Sequence, residues 1–181
     1  RATEANHSGT HLLQAALKKV LGEHVKQSGS LVNADRLRFD FTHFSKISEE
    51  ELARVEALAN RMIRANAPVE TAVMPLAEAV KTGATALFDE KYGETVRVVG
   101  MAGFSSELCG GTHVKRTGEI GFLKIVHESS IAAGVRRIEA LTGHAAVAHV
   151  QRAEDELRKT AGLLRIGLLE TADRTEKLLR R

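Results

Sequence analysis

Apolar positions near the start of the chain recur every three or four residues, which is the spacing of one face of an α-helix. The stripe consists of Leu12, Leu13, Ala16, Leu17, Val20 and Leu21. Asn6 is a suitable N-cap and Gly22 a suitable stop, so the pattern predicts a helix from about His7 to Leu21. With about 100° between successive residues, His7 and His11 point away from the middle of this stripe.

Strand-like segments and further helices follow along the chain. Alternating or short apolar runs predict strands at 37–41, 69–74, 95–99, 122–126 and 135–141, with a turn at 33–36. Ser48 and Glu51 form a capping box for a second helix that ends before Pro68. A short helix is predicted at 76–80, and a loop at 103–108 leads to Cys109. Together these elements predict an α+β fold, with a mixed, mainly antiparallel sheet and helices packed over it.

The sequence changes character after Gly143. Residues 145–181 contain no proline and two glycines, and charged residues recur beside leucines at helical spacing. This segment is either a helical extension that leaves the globular body or an ordinary packed terminal helix. We therefore expect a globular domain at 1–144 and a helical extension at 145–181. Because the chain starts without Met and almost directly on a motif, we expect it to be a piece of a longer protein.

Two short motifs of one pattern lie about a hundred residues apart, His7-Ser-Gly-Thr-His11 and Cys109-Gly-Gly-Thr-His113. Each places two metal-ligand side chains four positions apart, and together they supply three imidazoles and the only thiol of the chain. A lone histidine in a helix is more often a core or surface residue, but here a matching pair stands elsewhere. This donor set favours zinc over calcium or magnesium and suits one tetrahedral Zn²⁺.

The chemistry of such a site depends on whether all four ligands bind at once. Four protein ligands are typical of a structural zinc, whereas a catalytic zinc keeps a position for water or substrate. The spacing of His24 and His43 does not link them to the motifs, so the sequence offers no general base. The catalytic group is therefore unknown, and a catalytic version of the site would use a zinc-positioned water.

Several residues beside the motifs are candidates for substrate binding. Thr10 and Thr112 each precede a predicted ligand, so their hydroxyls either line the rim of the site or bond their own backbone. Gly110 and Gly111 either let the backbone approach a ligand closely or only make a sharp turn. Gln27 follows the first helix and either reaches back to the cleft or is a solvated loop residue.

Charge and composition limit the partners. The chain has 181 residues and a net charge of +3, a mild basic bias compatible with RNA or phosphate. Arg136 and Arg137 are neighbours in a predicted strand and point to opposite faces, so one suits a phosphate and the other an internal ion pair. The single cysteine excludes an internal disulfide and fits a reducing, cytoplasmic compartment. No apolar run reaches the roughly 18–20 residues that a membrane span needs.

Four stretches together resemble the editing domain of bacterial alanyl-tRNA synthetase. They are HSGTHLLQAALKKVLGEHVKQSGSLVNADRLRFDFTHF (7–44), GATALFDEKYGETVRVV (83–99), SSELCGGTHVKRTGEIGFLKI (105–125) and AAGVRRIEALTG (132–143). The resemblance covers about residues 1–144. Residues 145–181 resemble the start of the helical segment that joins the editing domain to the C-terminal domain of that family.

This resemblance implies an aminoacyl-tRNA deacylase domain that hydrolyses the ester of seryl-tRNA(Ala) and glycyl-tRNA(Ala). An alanine pocket cannot exclude the smaller glycine, and one added hydroxyl is discriminated by only about 10²-fold, so a second, hydrolytic pocket corrects the error. The implied partners are the tRNA(Ala) acceptor end carrying serine or glycine and the aminoacylation and C-terminal domains of the same chain.

The resemblance also implies roles for individual residues. The zinc ligands would be His7, His11, Cys109 and His113. Thr10 would read the serine hydroxyl, Gln27 would line the acyl pocket with Gly110, Gly111 and Thr112 beside it, and Arg136 would hold the acceptor end. Many relatives have alanine where this chain has Gly9, which we expect to loosen the first turn of the helix.

Two other functions remain open at this point. One is a free-standing deacylase that acts in trans on mischarged tRNA(Ala). The other is a zinc-clamped tRNA-binding module without catalysis. A metalloprotease is set aside, because Ser-Gly-Thr separates His7 from His11 and lacks the glutamate of H-E-x-x-H.

Overall fold

Helix α1 (Ala2–Leu21) carries the predicted apolar stripe but begins at Ala2 rather than at His7. The prediction that Asn6 caps this helix is wrong, because Asn6 is buried inside it. The side-chain amide of Asn6 donates to the carbonyl oxygen of Asn33 at 2.9 Å, and its Oδ1 accepts from the Thr142 hydroxyl at 2.7 Å. The polar atoms of the Asn6 side chain therefore bond residues outside α1 and do not accept from the first N–H groups of the helix, as a cap would.

The computed structural model describes residues 1–86 and 92–180, and within them the strands form two antiparallel sheets. The strands are β1 (Gln27–Val32), β2 (Leu37–Thr42), β3 (Val69–Pro75), β4 (Thr95–Met101), β5 (Ser105–Leu108), β6 (Leu123–Ala132) and β7 (Val135–Thr142). Their orders are β1-β2-β7-β6 and β3-β4-β5. The α+β class is confirmed. Residues 87–91, which belong to the quoted stretch 83–99, lie outside the described residues.

Two strands were missing from the sequence-based prediction. β1 pairs with β2. The sequence of β1 contains few apolar residues, and its side chains are exposed or half-buried. β5 replaces the predicted loop at 103–108 and pairs with β4, with Leu108 opposite Val98 and Ser105 opposite Met101. Both strands are held by backbone pairing, so the side-chain pattern gave little signal for them.

Helices α1 and α2 (Glu49–Arg64) pack against each other and against the first sheet. The predicted capping box of α2 is confirmed, because the Glu51 N–H donates to Ser48 Oγ at 3.1 Å and the Ser48 N–H donates to Glu51 Oε2 at 2.8 Å. The fully buried core between these elements is aliphatic and phenylalanine-rich. It includes Leu12, Leu13, Leu17, Leu37, Phe39, Phe41, Ile63 and Ile138.

Gly9 is the eighth residue of α1 and faces Thr142 of β7, so the expectation that it loosens the first turn is wrong. A Cβ built on Gly9 would lie 3.0 Å from the Thr142 methyl and 3.4 Å from Leu37 Cδ2. The glycine therefore serves the close packing of α1 on the first sheet.

The chain divides into two units, Arg1–Ala146 and Val147–Arg181. The first unit also contains the short helix α3 (Leu76–Lys81). The second contains most of α4 (Gly143–Leu164), a 3-10 turn at Leu168–Glu170 and α5 (Thr171–Leu179). Among the described residues, no helix combines the length and the apolar character that crossing a bilayer requires.

Candidate metal centre

Four side chains from the two sequence motifs converge at one point. His7 and His11 lie one turn apart on α1, Cys109 directly follows β5, and His113 lies four residues beyond the cysteine. One potential ligand atom from each residue lies within 4.8 Å of every other. His11 is buried, and the other three side chains are half-buried. The fold thus brings together residues that are about a hundred positions apart in the sequence.

Hydrogen bonds orient two of the three imidazoles. Nδ1 of His7 donates to the carbonyl oxygen of Thr112 at 3.2 Å, and Nδ1 of His113 lies 3.1 Å from the Ser8 hydroxyl. The Nε2 atoms of both rings face the thiol, each 3.4 Å from Cys109 Sγ. Outer partners on Nδ1 are the usual way in which proteins present Nε2 to a metal.

His11 follows the same rule with a carboxylate as the outer partner. Its Nδ1 lies 2.5 Å from Glu107 Oε2, an ion-pair distance without the direction of a good hydrogen bond. The other carboxylate oxygen of Glu107 accepts from the Ser105 hydroxyl at 2.9 Å. The Nε2 of His11 is buried and has no hydrogen-bond partner among the described residues. A buried polar atom without a partner is costly, and a metal bound to Nε2 would remove that cost.

The protonation states of the cluster present a thiolate to a metal but leave on His11 a proton that the metal must displace. Burial alone would raise the pKa of the Cys109 thiol, but the nearby imidazoles of His11, His113 and His7 lower this pKa to about 3. Burial would lower the pKa of His11, yet its contacts with Cys109 and Glu107 raise it to about 9. Burial lowers the pKa of His113. Without metal, Cys109 and His11 therefore form a thiolate–imidazolium pair, and the thiolate is the form that binds zinc.

Arg97 on β4 holds the loop that carries the cysteine motif. The Cys109 N–H donates to the Arg97 carbonyl oxygen at 3.0 Å, and the Arg97 guanidinium donates to the carbonyl oxygens of Cys109, at 3.1 Å, and Gly111. The Ser8 hydroxyl oxygen also accepts from the Val114 N–H at 3.2 Å, which ties α1 to the far end of the loop. These bonds position the thiol and His113 before any metal arrives.

Comparison with known proteins gives a consistent result. Residues 96–139 match the family described as the threonyl and alanyl tRNA synthetase second additional domain. The chain is 55% identical over 180 residues to the alanine–tRNA ligase of Halorhodospira halophila, which covers 99% of this chain and 21% of that protein. The chain matches one segment of the alanine–tRNA ligase family. The ligase of Myxococcus xanthus is 58% identical over 176 residues, covering 97% of this chain and 20% of that protein.

The ligase of Nitrosomonas europaea is 60% identical over 163 residues, which covers 90% of this chain and 19% of that ligase. The chain thus spans about a fifth of the length of the alanine–tRNA ligases that it matches. The similarity extends over both motifs of the metal cluster, since nearly the whole chain is aligned in the first two of these relatives.

The structure places the predicted substrate residues in different surroundings. The Thr10 hydroxyl is buried and donates to the Asn6 carbonyl oxygen of its own helix at 2.9 Å. Thr112 is exposed and contributes its carbonyl oxygen to His7. Gln27 lies on β1, donates to the Ser30 hydroxyl at 3.4 Å and lines a cavity of about 350 Å³. Substrate contacts of these three residues stay predictions.

The two glycines of the cysteine motif differ in their surroundings. A Cβ built on Gly110 meets no atom within 4 Å, whereas one on Gly111 would lie 2.2 Å from Cε1 of His7. Gly111 therefore permits the close approach of the loop to an imidazole, and Gly110 faces open space.

Both arginines of the 136–137 pair are bound within the first sheet. The Arg137 guanidinium donates to both carboxylate oxygens of Asp40, at 2.7 and 2.8 Å, and this contact raises its pKa. Arg136 donates to Glu128 at 2.6 Å, and its side chain is 12% exposed. A tRNA contact by Arg136 stays a prediction and would compete with Glu128.

Sequence reasoning missed Ser8, Arg97 and Glu107 as parts of the site. Glu107 carried a usable signal, because it lies two residues before Cys109 and residues two apart in a strand share a face. A strand at 105–108 would have placed it beside the cluster. His24 and His43 are not among these supporting residues. Nε2 of His24 lies 2.8 Å from Nδ1 of His43.

We expect Glu107→Gln to weaken zinc binding by about 10–100-fold, the usual effect of changing an outer partner of a metal-bound histidine. The amide keeps the size of the side chain but removes the charge next to His11 Nδ1. Competition with a chromogenic chelator measures the affinity. Glu70→Gln, at an exposed position on β3, is the matched control and should change nothing. Equal affinities in wild type and Glu107→Gln would contradict the role of this carboxylate.

Zinc affinity should fall as the pH decreases below about 9, because zinc must displace the proton of His11, whose pKa is raised to about 9. One displaced proton weakens binding by about tenfold per pH unit. Cys109, with a pKa of about 3, releases no further proton at neutral pH. Titration calorimetry in buffers of different ionisation enthalpy counts the released protons. An affinity that stays constant between pH 7 and pH 9 would disprove the thiolate–imidazolium pair.

Proposed function

We propose that this chain is an aminoacyl-tRNA deacylase module of an alanine–tRNA ligase, which hydrolyses seryl-tRNA(Ala) and glycyl-tRNA(Ala). The observation that carries the proposal is the cluster of His7, His11, Cys109 and His113, with ligand atoms within 4.8 Å of one another. The similarity of nearly the whole chain to alanine–tRNA ligases supports the choice of substrate. On this proposal residues 1–144 are the editing domain, and 145–181 lead toward the C-terminal part of such a ligase.

The donor set fits one zinc ion, held by three imidazole Nε2 atoms and one thiolate. When bound, zinc supplies a Lewis acid that polarises an oxygen and stabilises developing negative charge. The protein orients the ligands through Thr112, Ser8 and Glu107. Open space at Gly110 and a cavity of about 430 Å³ that is lined by Glu107, the outer partner of His11, leave room for an acyl group.

Serine selection is assigned to Thr10, with Gln27, Gly110, Gly111 and Thr112 lining the pocket. In the structure the Thr10 hydroxyl donates to a helix carbonyl, so its oxygen lone pairs are available to accept from a serine hydroxyl. The partners on this proposal are the tRNA(Ala) acceptor end, near Arg136, and the remaining domains of the ligase. A metal-binding thiolate also fits a reducing compartment such as the cytoplasm.

A non-catalytic zinc clamp is the second candidate function, favoured by the presence of four protein ligands. Such a closed set is typical of structural zinc. The ion would then hold α1 against the Cys109 loop, and the chain would only bind tRNA.

The test is release of amino acid from seryl-, glycyl- and alanyl-tRNA(Ala) by the zinc-loaded chain, with and without chelator. We expect hydrolysis of the first two substrates, little of the third, and loss of activity on chelation. Circular dichroism on the chelated protein separates loss of fold from loss of chemistry. Binding of tRNA without hydrolysis by folded, zinc-loaded protein would favour the clamp.

A further inference from the structure

A groove of about 360 Å³ lies between the last turn of α1 and the middle of α2. Its lining consists of Lys19, Val20, Arg54, Ala57, Leu58 and Arg61. The floor is aliphatic, and every charged residue of the lining that the structure describes is a cation. We call this feature the α1–α2 groove.

The three cations of the groove are not neutralised inside the protein. Lys19, Arg54 and Arg61 are exposed, and none of them forms an ion pair among the described residues. Lys19 Nζ lies 5.3 Å from the centroid of the Phe104 ring, a cation–π contact that leaves its charge in place. The groove therefore offers three free positive charges to an anion.

Carboxylates one helical turn away from the arginines do not change this result. Glu50 and Glu51 lie one turn before Arg54 on α2. Oε2 of Glu51 accepts from the Ser48 N–H at 2.8 Å and from the Ser48 hydroxyl at 2.9 Å, and Glu50 forms no ion pair among the described residues. Arg61 has no acidic residue three or four positions before or after it.

The charges of α2 are separated onto two faces. Arg54 and Arg61 are seven residues apart and share the face that lines the groove. Glu49 and Glu56 are also seven residues apart and line a different cavity, beside β6. Glu56 accepts from Lys124 Nζ at 2.9 Å, so this acidic face has a partner within the fold. The basic face has no such partner among the described residues and is free for an external anion.

Lys19 connects the groove to the metal centre. It follows His11 by eight residues, which is about 12 Å along the axis of α1. Lys19 also lines the cavity of about 430 Å³ that contains Glu107, the outer partner of His11. The two cavities therefore adjoin at Lys19, and a polyanion whose end lies at the metal centre can continue past this residue onto α2.

We propose that the α1–α2 groove binds the phosphate backbone of the tRNA acceptor stem, with Lys19, Arg54 and Arg61 each beside a phosphate. The inference rests on the proposed function, because an ester held at the metal centre fixes where the RNA begins. Arg54 and Arg61 are about 10.5 Å apart along the helix axis, which suits separate phosphates of one polyanion. Such backbone contacts position the RNA without reading its sequence.

The first test is equilibrium binding of an uncharged tRNA(Ala) minihelix to the zinc-loaded chain at several salt concentrations. We expect Arg54→Gln/Arg61→Gln to bind about tenfold more weakly at low salt, and the salt dependence to fall by about two charges. Arg54→Lys/Arg61→Lys keeps both charges and should restore the salt dependence. Lys81→Gln/Lys177→Gln removes two exposed charges outside the groove lining and is the matched control.

The second test compares hydrolysis of two seryl esters that differ in length. A seryl-minihelix extends over the groove, whereas 3′-seryl-adenosine carries no phosphate backbone. We expect Arg54→Gln/Arg61→Gln to raise KM for the minihelix by about tenfold, with an effect several times smaller on seryl-adenosine. Zinc content and circular dichroism verify that the metal centre and the fold are intact in the variant.

Two outcomes would overturn the proposed surface. In the first, the double glutamine variant binds the minihelix with the affinity and salt dependence of the wild type. In the second, polyglutamate displaces the minihelix as efficiently at equal charge, which would make the groove a site for acidic partners in general. If the glutamine variant loses minihelix binding as expected but the wild type hydrolyses no seryl ester, the proposed function fails and the RNA surface stands.

Discussion

Replacing Cys109 by alanine should remove bound zinc and reduce serine release from seryl-tRNA(Ala) by at least about a hundredfold. Cys109 is the only thiol of the chain, and both His7 and His113 face its sulfur at 3.4 Å. Loss of metal charge stabilisation costs several kcal/mol in the transition state, and each 1.36 kcal/mol is about tenfold in rate. Metal analysis and a single-turnover deacylation assay measure the two effects.

The control for Cys109→Ala is His127→Ala, which changes an exposed imidazole on β6 and should keep both zinc and activity. Circular dichroism verifies that the Cys109 variant is folded, and His113→Asn repeats the test with a second ligand. Unchanged serine release from metal-free, folded Cys109→Ala would refute a catalytic role for zinc.

A methyl group added at Gly111 should displace a zinc ligand, whereas the same change at Gly110 should leave all four ligands in place. The Cβ of Gly111→Ala would lie 2.2 Å from Cε1 and 2.7 Å from Nδ1 of His7, so the ring must move and lose its bond to Thr112. Because that bond orients the ring, we expect zinc affinity to fall by at least about tenfold. Deacylation should fall with it when zinc is limiting.

Gly110→Ala is a matched control, because its Cβ would meet nothing within 4 Å and neither glycine has a positive φ. Its effect on unfolding free energy should stay within about 0.5 kcal/mol, as for most open positions. Equal zinc affinities for the two alanine variants would show that His7 is not held where the structure places it. A loss of deacylation in Gly110→Ala at full zinc occupancy would mark this position as part of the substrate pocket.

Elements with a strong side-chain pattern were predictable from the sequence. The stripe of α1, the Ser48–Glu51 capping box and most strands with apolar alternation appear close to their expected positions, whereas β6 extends six residues beyond its predicted end at 126. β1 and β5 were not predictable in this way, because backbone pairing with β2 and β4 defines them. The start of α1 was misplaced because a buried Asn6 and a capping Asn have the same sequence signal.

The four candidate metal ligands could be predicted from the sequence, because each pair of ligands lies within one short motif. Spacing within the two motifs indicated His7, His11, Cys109 and His113, and the structure brings them together. The supporting residues depend on tertiary contacts, so the sequence did not reveal that Arg97 holds the loop or that Ser8 contacts His113. The pairing of Arg136 with Glu128 likewise follows from the β6–β7 register.

X-ray absorption at the zinc edge of the reconstituted chain tests the central claim most directly. We expect one zinc per chain, bound by one sulfur at about 2.3 Å and three nitrogens at about 2.0–2.1 Å. The sulfur signal should disappear in Cys109→Ala. A zinc surrounded only by oxygen and nitrogen in the wild type, or binding well below one ion per chain, would contradict a site built from both motifs.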